Sequence, residues 1–376
     1  MKKKNFFILV AFAVGIMSCS SKAVENENLK DAFEGKFLIG TALNEAQITG
    51  ADSNSVKLVK EQFNSITAEN CMKSGELQPE EGKFYFDLAD QFIKFGLDNN
   101  MYIIGHTLIW HSQAPSWFFT DSNGKEVSRE VLIERMKTHI HTVVGRYKGQ
   151  VKGWDVLNEA IEDDGSWRKT KFYNIIGEEY IELAFQFAHE ADPEADLYYN
   201  DYSMAHEGRR NTVVKMVNNL KSKGIKIDGV GMQGHMDLVF PKLEDFETSL
   251  TAFAETGVKV MITELDVTVL PRPSRNLGAE ISQSYEYQQK LNPYAEGLPD
   301  SVSTELNNRY LDIFKLFLKH QDKIERVTLW GVTDNQSWRN DWPVGGRTDY
   351  ALIFDRDFQP KPVVGMLIEE AAKVTQ

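Results

Sequence analysis

In two stretches of the sequence, an apolar run rich in β-branched residues is followed by a glutamate. Residues 151–157 are predicted to form a strand that leads to Asn158 and Glu159, and residues 258–262 one that leads to Glu264. Two strands that each deliver a glutamate to the same rim would make a pair of facing carboxylates. Cleavage of a glycosidic bond needs such a pair, because one carboxyl protonates the leaving oxygen while the other attacks or activates water.

The frame for these residues is predicted from short apolar runs that alternate with longer amphipathic ones. The predicted strands are 37–40, 65–68, 101–108, 151–157, 196–199, 229–232, 258–262 and 327–330, and the predicted helices are 53–62, 84–99, 128–146, 171–190, 209–223, 243–255, 304–320 and 363–373. Strict alternation implies right-handed parallel βαβ units. Eight units are the number that closes a (β/α)8 TIM barrel, here an α/β fold in a single catalytic domain. A doubly wound open sheet is the alternative, weakened because no G-x-G-x-x-G turn follows the first strand.

Polar or aromatic side chains end nearly every predicted strand, and a barrel gathers such residues on its C-terminal face. The set comprises Glu69, Asn70, Lys73, His106, Trp110, His111, Gln113, Asn158, Glu159, Asn200, Asp201, Tyr202, Gln233, His235, Glu264, Asp266, Trp330, Asp334, Asn335 and Trp338. Amides and carboxylates suit sugar hydroxyls, and indoles offer flat faces to pyranose rings. The set as a whole therefore favours a carbohydrate cleft.

Each residue alone also has an ordinary interpretation. Glu159 could cap a helix, Glu264 could be half of an ion pair, and His106 could be a satisfied core histidine. A zinc site from His106, His111, His235 and a carboxylate is conceivable, but no H-E-x-x-H or C-x-x-C motif supports it.

Four other titratable residues are given no part in the chemistry. Asp155 precedes the end of its strand, and Cys71 is predicted to be a buried thiol with no base beside it. His139 and His141 lie on a predicted helix away from the rim and are predicted to be at the surface.

Composition excludes one class of partner. The 376 residues are 42% hydrophobic and 26% charged, with a formal charge of -13, which is ordinary for a globular protein. Nucleic acid is excluded, because its phosphates must be met by Lys and Arg. Aromatic residues make up 11% of the chain, with seven Trp. This aromatic content is consistent with sugar binding, because sugar-binding clefts use flat aromatic faces.

The N-terminus has the form of a targeting segment. Three lysines precede an apolar run from Phe6 to Met17, which is too short to span a bilayer comfortably. The following Ser18-Cys19 resembles the lipobox of bacterial lipoproteins. We expect residues 1–18 to be a signal peptide, Cys19 to be lipidated, 19–34 to be a flexible tether and 35–376 to be the catalytic domain.

An ordinary signal peptide with an incidental Cys19 is the alternative. In the lipoprotein interpretation the protein is exported and is held to a membrane by the lipid anchor only. Its expected location is the outer membrane or the cell surface, and the periplasmic face of the membrane is the alternative. Only Cys71 would remain in the mature chain, so no intramolecular disulfide is expected.

A long segment from Pro271 to Asp300 interrupts the alternation after the seventh strand. Loops of this length are usually functional or disordered. Its Tyr285, Tyr287 and Tyr294 could line a cleft or hold the loop in place, and both interpretations stay open.

Five motifs in order resemble glycoside hydrolase family 10, the endo-β-1,4-xylanases. They are Trp154 to Glu159, Gly105 to Gln113, Gly231 to His235, Ile262 to Asp266 and Leu329 to Trp338. The resemblance covers roughly Gly35 to the C-terminus. It implies a retaining endo-β-1,4-xylanase that acts on xylan and xylo-oligosaccharides and needs no metal or organic cofactor. We expect a monomer.

The resemblance also implies roles for the rim residues. Glu159 becomes the acid/base and Glu264 the nucleophile, about 5 to 5.5 Å apart as in retaining enzymes. His235 would hydrogen bond to Glu264, and Asp266 would steady His235. The implied substrate contacts are Glu69, Asn70, Lys73 and His106 on the glycone side, Asn158 at the sugar 2-hydroxyl, Gln113 and Gln233 near the acid/base, Trp110 in the cleft, Trp330 and Trp338 as its roof, and Asn200 and Tyr202 on the aglycone side.

Two alternative functions remain at this point. An endoglucanase or mixed-linkage glucanase on the same barrel would have to admit a hydroxymethyl group, which the strand-8 tryptophans of the family are taken to disfavour by crowding. A non-catalytic xylan-binding lipoprotein should have lost a catalytic carboxylate, and both glutamates are present.

Overall fold

Nine strands and twelve helices are found in a computed structural model, which describes residues 28–272 and 290–374. The strands are β1 (Leu38–Leu43), β2 (Ser65–Ala68), β3 (Tyr102–Trp110), β4 (Gly153–Asn158), β5 (Asp196–Asp201), β6 (Gly229–Met232), β7 (His235–Asp237), β8 (Lys259–Thr268) and β9 (Ile324–Leu329). The helices are α1 (Leu29–Ala32), α2 (Glu45–Ile48), α3 (Ser53–Gln62), α4 (Ser74–Leu77), α5 (Asp87–Asp98), α6 (Arg129–Arg146), α7 (Lys171–Ile176), α8 (Glu179–Ala191), α9 (Glu207–Ser222), α10 (Leu243–Glu255), α11 (Asp300–Lys319) and α12 (Pro362–Lys373).

Eight of the strands close a parallel barrel. The order runs β6-β5-β4-β3-β2-β1-β9-β8, and β6 pairs with β8 to complete the ring. The short β7 continues beyond β6 and pairs in parallel with the C-terminal part of β8. The predicted (β/α)8 TIM barrel is therefore confirmed, and all strand C-termini open on one face.

The barrel interior is filled by side chains, as the fold requires. Tyr198 is fully buried there against Ile104 and Met261, whereas Trp154 is fully buried in the larger hydrophobic core that the strands share with the helices. A Cβ added at Gly105 would lie 2.1 Å from Cε3 of Trp154, so only glycine leaves room for that indole. This packing holds β3 and β4 in the register that brings their ends to the same rim.

Several predicted helices match the structure closely, and one is divided. Residues 53–62 and 243–255 are helical with the predicted bounds, and the Ser128 hydroxyl accepts a hydrogen bond from Val131 N–H as the N-cap of α6. The predicted helix 171–190 is broken at Gly177, whose φ of 91° ends α7 before α8 begins. Glycine adopts this conformation without steric cost, so it ends a helix readily.

The packed domain includes residues that precede the predicted boundary at residue 35. Asn28 caps α1, and Leu29 and Phe33 are 1% and 0% exposed. The ring of Phe33 lies 5.0 Å from that of Phe37 and 5.6 Å from that of Phe314. The prediction that the tether extends to residue 34 is therefore wrong, because these two apolar side chains pack into the core.

His139 is also placed differently from the prediction. It faces the interior from α6 and is fully buried, with Nδ1 2.8 Å from Gln78 Oε1. Phe84 and Phe118 pack against its ring. The predicted surface position is wrong, because one polar partner and two aromatic neighbours suffice to bury the imidazole. His141, two residues further on, remains 36% exposed.

One further structural prediction, for Cys71, can be compared with the structure, while several others concern residues that the structure does not describe. Cys71 is buried as predicted, and burial raises the pKa of its thiol to about 12. The segment predicted to be a signal peptide, Cys19 and most of the 271–300 segment, with Tyr285 and Tyr287, lie outside the described residues. None of the helices described for residues 28–272 and 290–374 has the length and apolarity needed to cross a bilayer.

Candidate active site

Glu159 stands directly after β4 with its backbone fixed on both sides. Its N–H donates to Asn200 O at 2.9 Å, and Arg168 Nε donates to its carbonyl at 2.9 Å. The residue has a φ of 58°, in the left-handed region. Its side chain accepts hydrogen bonds from Trp110 Nε1 at 2.9 Å and Gln233 Nε2 at 3.0 Å. Both of these side-chain donors are neutral.

Glu264 lies within β8 and is 5% exposed. Its N–H donates to Gln233 O at 2.7 Å. The carboxylate accepts from Asn200 Nδ2 at 2.8 Å and from His235 Nε2 at 3.2 Å. Burial alone would raise its pKa, but the hydrogen bond from His235 and the nearby charges outweigh burial and lower it. Glu264 is therefore held ionised.

Side-chain amides connect the two glutamates beneath the cleft. Asn200 Nδ2 also donates to Asn158 Oδ1 at 3.0 Å, and Asn158 Nδ2 lies 3.4 Å from Glu159 Oε1. Thr263 Oγ1 donates to Asn200 Oδ1 at 2.6 Å, which fixes the orientation of that amide. The ends of β4, β5 and β8 thus hold the carboxyls in one rigid arrangement.

A second chain of contacts runs behind Glu264. His235 Nδ1 donates to Asp266 Oδ2 at 2.9 Å, while Trp338 Nε1 donates to the same oxygen at 2.7 Å. Arg339 donates to the other carboxylate oxygen. Burial opposes protonation of His235, yet the charge of Asp266 raises its pKa to about 9. Burial would raise the pKa of Asp266, but Arg339 and His235 lower it to about 2.

A buried polar group lies at the ends of β2 and β3. Lys73 Nζ donates to Asn70 Oδ1 at 2.9 Å and lies 5.0 Å from the Trp110 ring centre. Burial lowers the pKa of Lys73 and raises that of Glu69. His106 is 2% exposed and meets Trp330 edge to face at 5.3 Å between ring centres.

Asp155 supports this group from within the barrel. Its Oδ2 lies 2.8 Å from His106 Nδ1, and it is 1% exposed. The structural interpretation of Asp155 agrees with this position.

Tyr202, after β5, lies between two arginines. Arg168 Nη2 donates to its hydroxyl at 2.6 Å, and the Arg209 guanidinium lies 4.2 Å from its ring centre. Arg209 is fully buried and paired with Asp201, whose pKa burial raises to about 7. The position of Tyr202 is therefore tied to Arg168, which also holds the Glu159 backbone.

A single cleft of about 780 Å³ collects most of the predicted residues. Its lining includes Glu69, Asn70, Lys73, His106, Trp110, Gln113, Asn158, Glu159, Tyr202, Gln233, His235, Glu264, Trp330 and Trp338. Fourteen side chains singled out from seven different strand ends thus reach one space, as the barrel topology predicts.

One predicted substrate contact lies beneath the cleft and does not line it. Asn200 is 0% exposed beneath Asn158 and Glu264, which corrects the prediction that it contacts a sugar. Asp266 is also fully buried, in the supporting position predicted for it. The side chain that reaches Glu159 from β3 is Trp110, whereas Gln113 is an exposed residue of the cleft wall.

Sequence reasoning did not identify Arg168 or Arg339. Neither follows a predicted strand directly, and an arginine in a loop carries no periodic signal. Among residues 28–272 and 290–374, no three His, Cys, Asp or Glu side chains converge as a metal ion would require.

Comparison with known proteins gives consistent matches. The model of glycosyl hydrolase family 10 matches residues 28–370. Endo-1,4-beta-xylanase A of Xylanibacter ruminicola is 51% identical over 363 residues, 96% of this chain and 98% of the relative. An endo-1,4-beta-xylanase of Geobacillus stearothermophilus is 41% identical, covering 89% of this chain and 96% of the relative. The solved structure of a GH10 endoxylanase retrieved from sugarcane soil metagenome is similar with a TM-score of 0.86 and 46% identity, over 92% of this chain and 99% of that one.

Proposed function

Because the chain belongs to glycosyl hydrolase family 10, we propose that its cleft cleaves xylan with Glu159 as the acid/base and Glu264 as the nucleophile. The protein is an endo-1,4-β-xylanase that retains anomeric configuration. The observation that carries the assignment of roles is the difference in partners: protonated His235 donates to Glu264, whereas neutral Trp110 and Gln233 donate to Glu159. A cationic partner favours the ionised form that a nucleophile needs.

The first step forms a covalent intermediate. Glu264 attacks the anomeric carbon while the glycosidic C–O bond breaks, and Glu159 gives its proton to the departing oxygen. The product is a glycosyl ester of Glu264, a shortened chain with a new hydroxyl, and an ionised Glu159.

The second step returns the enzyme to its starting state. Ionised Glu159 takes a proton from water, the water oxygen bonds to the anomeric carbon, and Glu264 leaves as a carboxylate. Two inversions at one carbon restore its configuration. The hydrogen bonds from Trp110 and Gln233 hold Glu159 in one place for both proton transfers.

The sugar contacts are proposed from the family resemblance and the cleft lining. Glu69, Asn70, Lys73 and His106 are assigned to the glycone side, and Tyr202 to the aglycone side. Asn158 is placed at the 2-hydroxyl, while Trp330 and Trp338 form the roof. Crowding by these two indoles would disfavour the extra hydroxymethyl group of glucose units.

A product time course tests this proposal. Protein without residues 1–19 is given glucuronoxylan, arabinoxylan and a soluble cellulose derivative, beside a Glu264→Ala variant. We expect short xylo-oligosaccharides from both xylans, little product from cellulose and none from the variant. Hydrolysis by the variant at the wild-type rate would contradict the role of Glu264, and preferential cleavage of cellulose would contradict the substrate.

We also propose that the protein is a lipoprotein anchored through Cys19, at the outer membrane or cell surface. Support comes from the three N-terminal lysines, the apolar run to Met17 and the Ser18-Cys19 pair. Asn28 caps α1 of the packed domain, so eight residues of sequence lie between this cap and Cys19.

Radioactive palmitate tests the anchor. The label should appear in the full chain and in the membrane fraction, and a Cys19→Ser variant should lose both. Cys71→Ser is the matched control and should keep the label. Equal labelling of the two variants would overturn the assignment. The expected monomer is checked by light scattering of the protein without residues 1–19.

A further inference from the structure

Arg339 makes contacts that go beyond the roles proposed so far. It lies in the turn directly after Trp338, and its side chain is 15% exposed. Nε and Nη2 donate to the same oxygen, Asp266 Oδ1, at 3.1 and 2.8 Å. The other oxygen, Oδ2, is left to accept from Trp338 and His235. The two oxygens of one carboxylate thus serve separate partners.

We propose that Arg339 is a positioning residue for the nucleophile, because its two hydrogen bonds orient Asp266 so that Oδ2 holds His235 against Glu264. This inference rests on the proposed role of Glu264. The contact chain runs Arg339–Asp266–His235–Glu264, with distances of 2.8, 2.9 and 3.2 Å. The four members come from three places: the turn after Trp338, β7 for His235, and β8 for both Asp266 and Glu264.

Asp266 also links the nucleophile to the roof of the cleft. Trp338 reaches it through the indole N–H, and the ring of Trp338 lies 4.9 Å from that of His235. A shift of the Asp266 carboxylate would therefore move the indole and the imidazole together. Arg339 prevents this shift, because its two N–H groups hold Asp266 Oδ1 while Trp338 and His235 bind Oδ2.

The charges in this chain balance. Arg339 and protonated His235 are cations, while Asp266 and Glu264 are anions. Other titratable groups face the chain from the surrounding elements: Lys73 and His106 act on Glu264, Tyr310 of α11 faces Asp266, and Arg347 and Asp349 lie near Arg339. Removing the charge of Arg339 leaves one cation and two anions, so the remaining three groups carry a net negative charge.

The sign of the expected effect follows from this balance. A more negative surrounding favours proton uptake, so the pKa of Glu264 rises when Arg339 is lost. Catalysis needs Glu264 ionised, and the acid limb of kcat/KM reports the free enzyme. The acid limb of the pH profile of kcat/KM should therefore move to higher pH. The expected shift is about one pH unit, the size expected when a charge is removed three contacts away from Glu264. A residue that only stabilised the turn would lower activity without moving the limb.

The test compares pH profiles with an aryl β-xylobioside whose good leaving group needs little protonation. Arg339→Met should shift the acid limb upward, and Arg339→Lys, which keeps the charge, should recover most of the wild-type position. Arg347→Met is the matched control: Arg347 lies in the same segment and donates to the Arg339 and Trp342 carbonyls rather than to Asp266. If Arg339→Met does not fold, Arg339→Gln replaces it with the same expected shift.

Two results would overturn the inference: an unshifted limb in folded Arg339→Met, or an equal shift in Arg347→Met. The Glu264→Ala variant separates this outcome from a failure of the proposed function. Wild-type turnover by Glu264→Ala would remove the nucleophile assignment itself. If Glu264→Ala is inactive and the acid limb of Arg339→Met does not shift, only the role of Arg339 is overturned.

Discussion

Glu159 and Glu264 are the same residue type, and their neighbours give them different tasks. Glu264 is buried against protonated His235, whereas Glu159 is partly exposed and meets neutral donors. The acid/base must change its protonation state twice in each cycle, and neutral donors favour this exchange more than a fixed cation does. The division of labour is therefore a property of β3, β6 and β7 as much as of the glutamates.

Replacement of Glu159 by Ala tests this division. The variant should lose about 10² to 10⁴ in rate on xylan, where the leaving alcohol needs a proton. Cleavage of an aryl xylobioside with an acidic phenol should fall far less, because that group leaves without protonation. Steady-state kinetics on the two substrates measures the difference. Equal losses on both would contradict the assigned role, and Asp164→Ala, which removes an exposed carboxylate of the same loop, serves as the control.

Residue types at the rim could be identified from sequence because each follows an apolar strand. What could not be identified was which of them touch substrate. Asn200 and Tyr202 are two positions apart, and only Tyr202 lines the cleft. The roles of Arg168 and Arg339 depend on where loops fold back, and loop paths leave no periodic pattern.

At the scale of elements, strands and long helices were predictable because their apolar periods are regular. Residues 65–68 and 229–232 match β2 and β6. Short elements were missed: α1 has four residues and β7 has three, too few to show a period. Their formation depends on tertiary contacts, such as the pairing of His235 with Asp266 across β7 and β8.

The packing of α1 leads to a prediction about stability. Phe33→Ala should lower the free energy of unfolding by about 3 to 5 kcal/mol, the usual cost of removing a buried phenylalanine ring. Urea denaturation of the protein without residues 1–19 measures it. Glu34→Ala, at an exposed neighbouring position, should stay within about 0.5 kcal/mol of wild type. A Phe33→Ala variant as stable as wild type would show that this segment does not belong to the cooperative unit.

At the scale of the whole molecule, the buried His139 and the partly buried His235 set opposite pH dependences of stability. Burial lowers the pKa of His139 to about 4, while an unfolded histidine titrates near about 6.5. Below that pH the unfolded chain binds the extra proton, so stability falls as pH decreases. His235, with its pKa raised to about 9, binds the extra proton when folded, so its contribution is lost as pH rises from about 6.5 to 9.

The acidic side of this dependence can be tested. Between pH 6.5 and 5, the neutral state of buried His139 should lower the free energy of unfolding by about 1.5 kcal/mol. A His139→Gln variant should lose that slope, whatever its absolute stability. His189→Gln removes an exposed histidine of α8 and should keep the wild-type slope. Identical slopes in all three proteins would contradict the buried neutral state of His139.

The left-handed backbone at Glu159 has a consequence for how such an enzyme evolves. A φ of 58° costs most residues about 1 kcal/mol or more relative to glycine. Glu159→Gly should therefore be more stable than Glu159→Ala by about 1 kcal/mol, since both lack the carboxylate and differ only at Cβ. Thermal unfolding of the pair measures this. If glycine is the more stable residue here, selection for stability alone would replace Glu159 with glycine and abolish catalysis. Only continued selection for xylan turnover keeps a glutamate at this position.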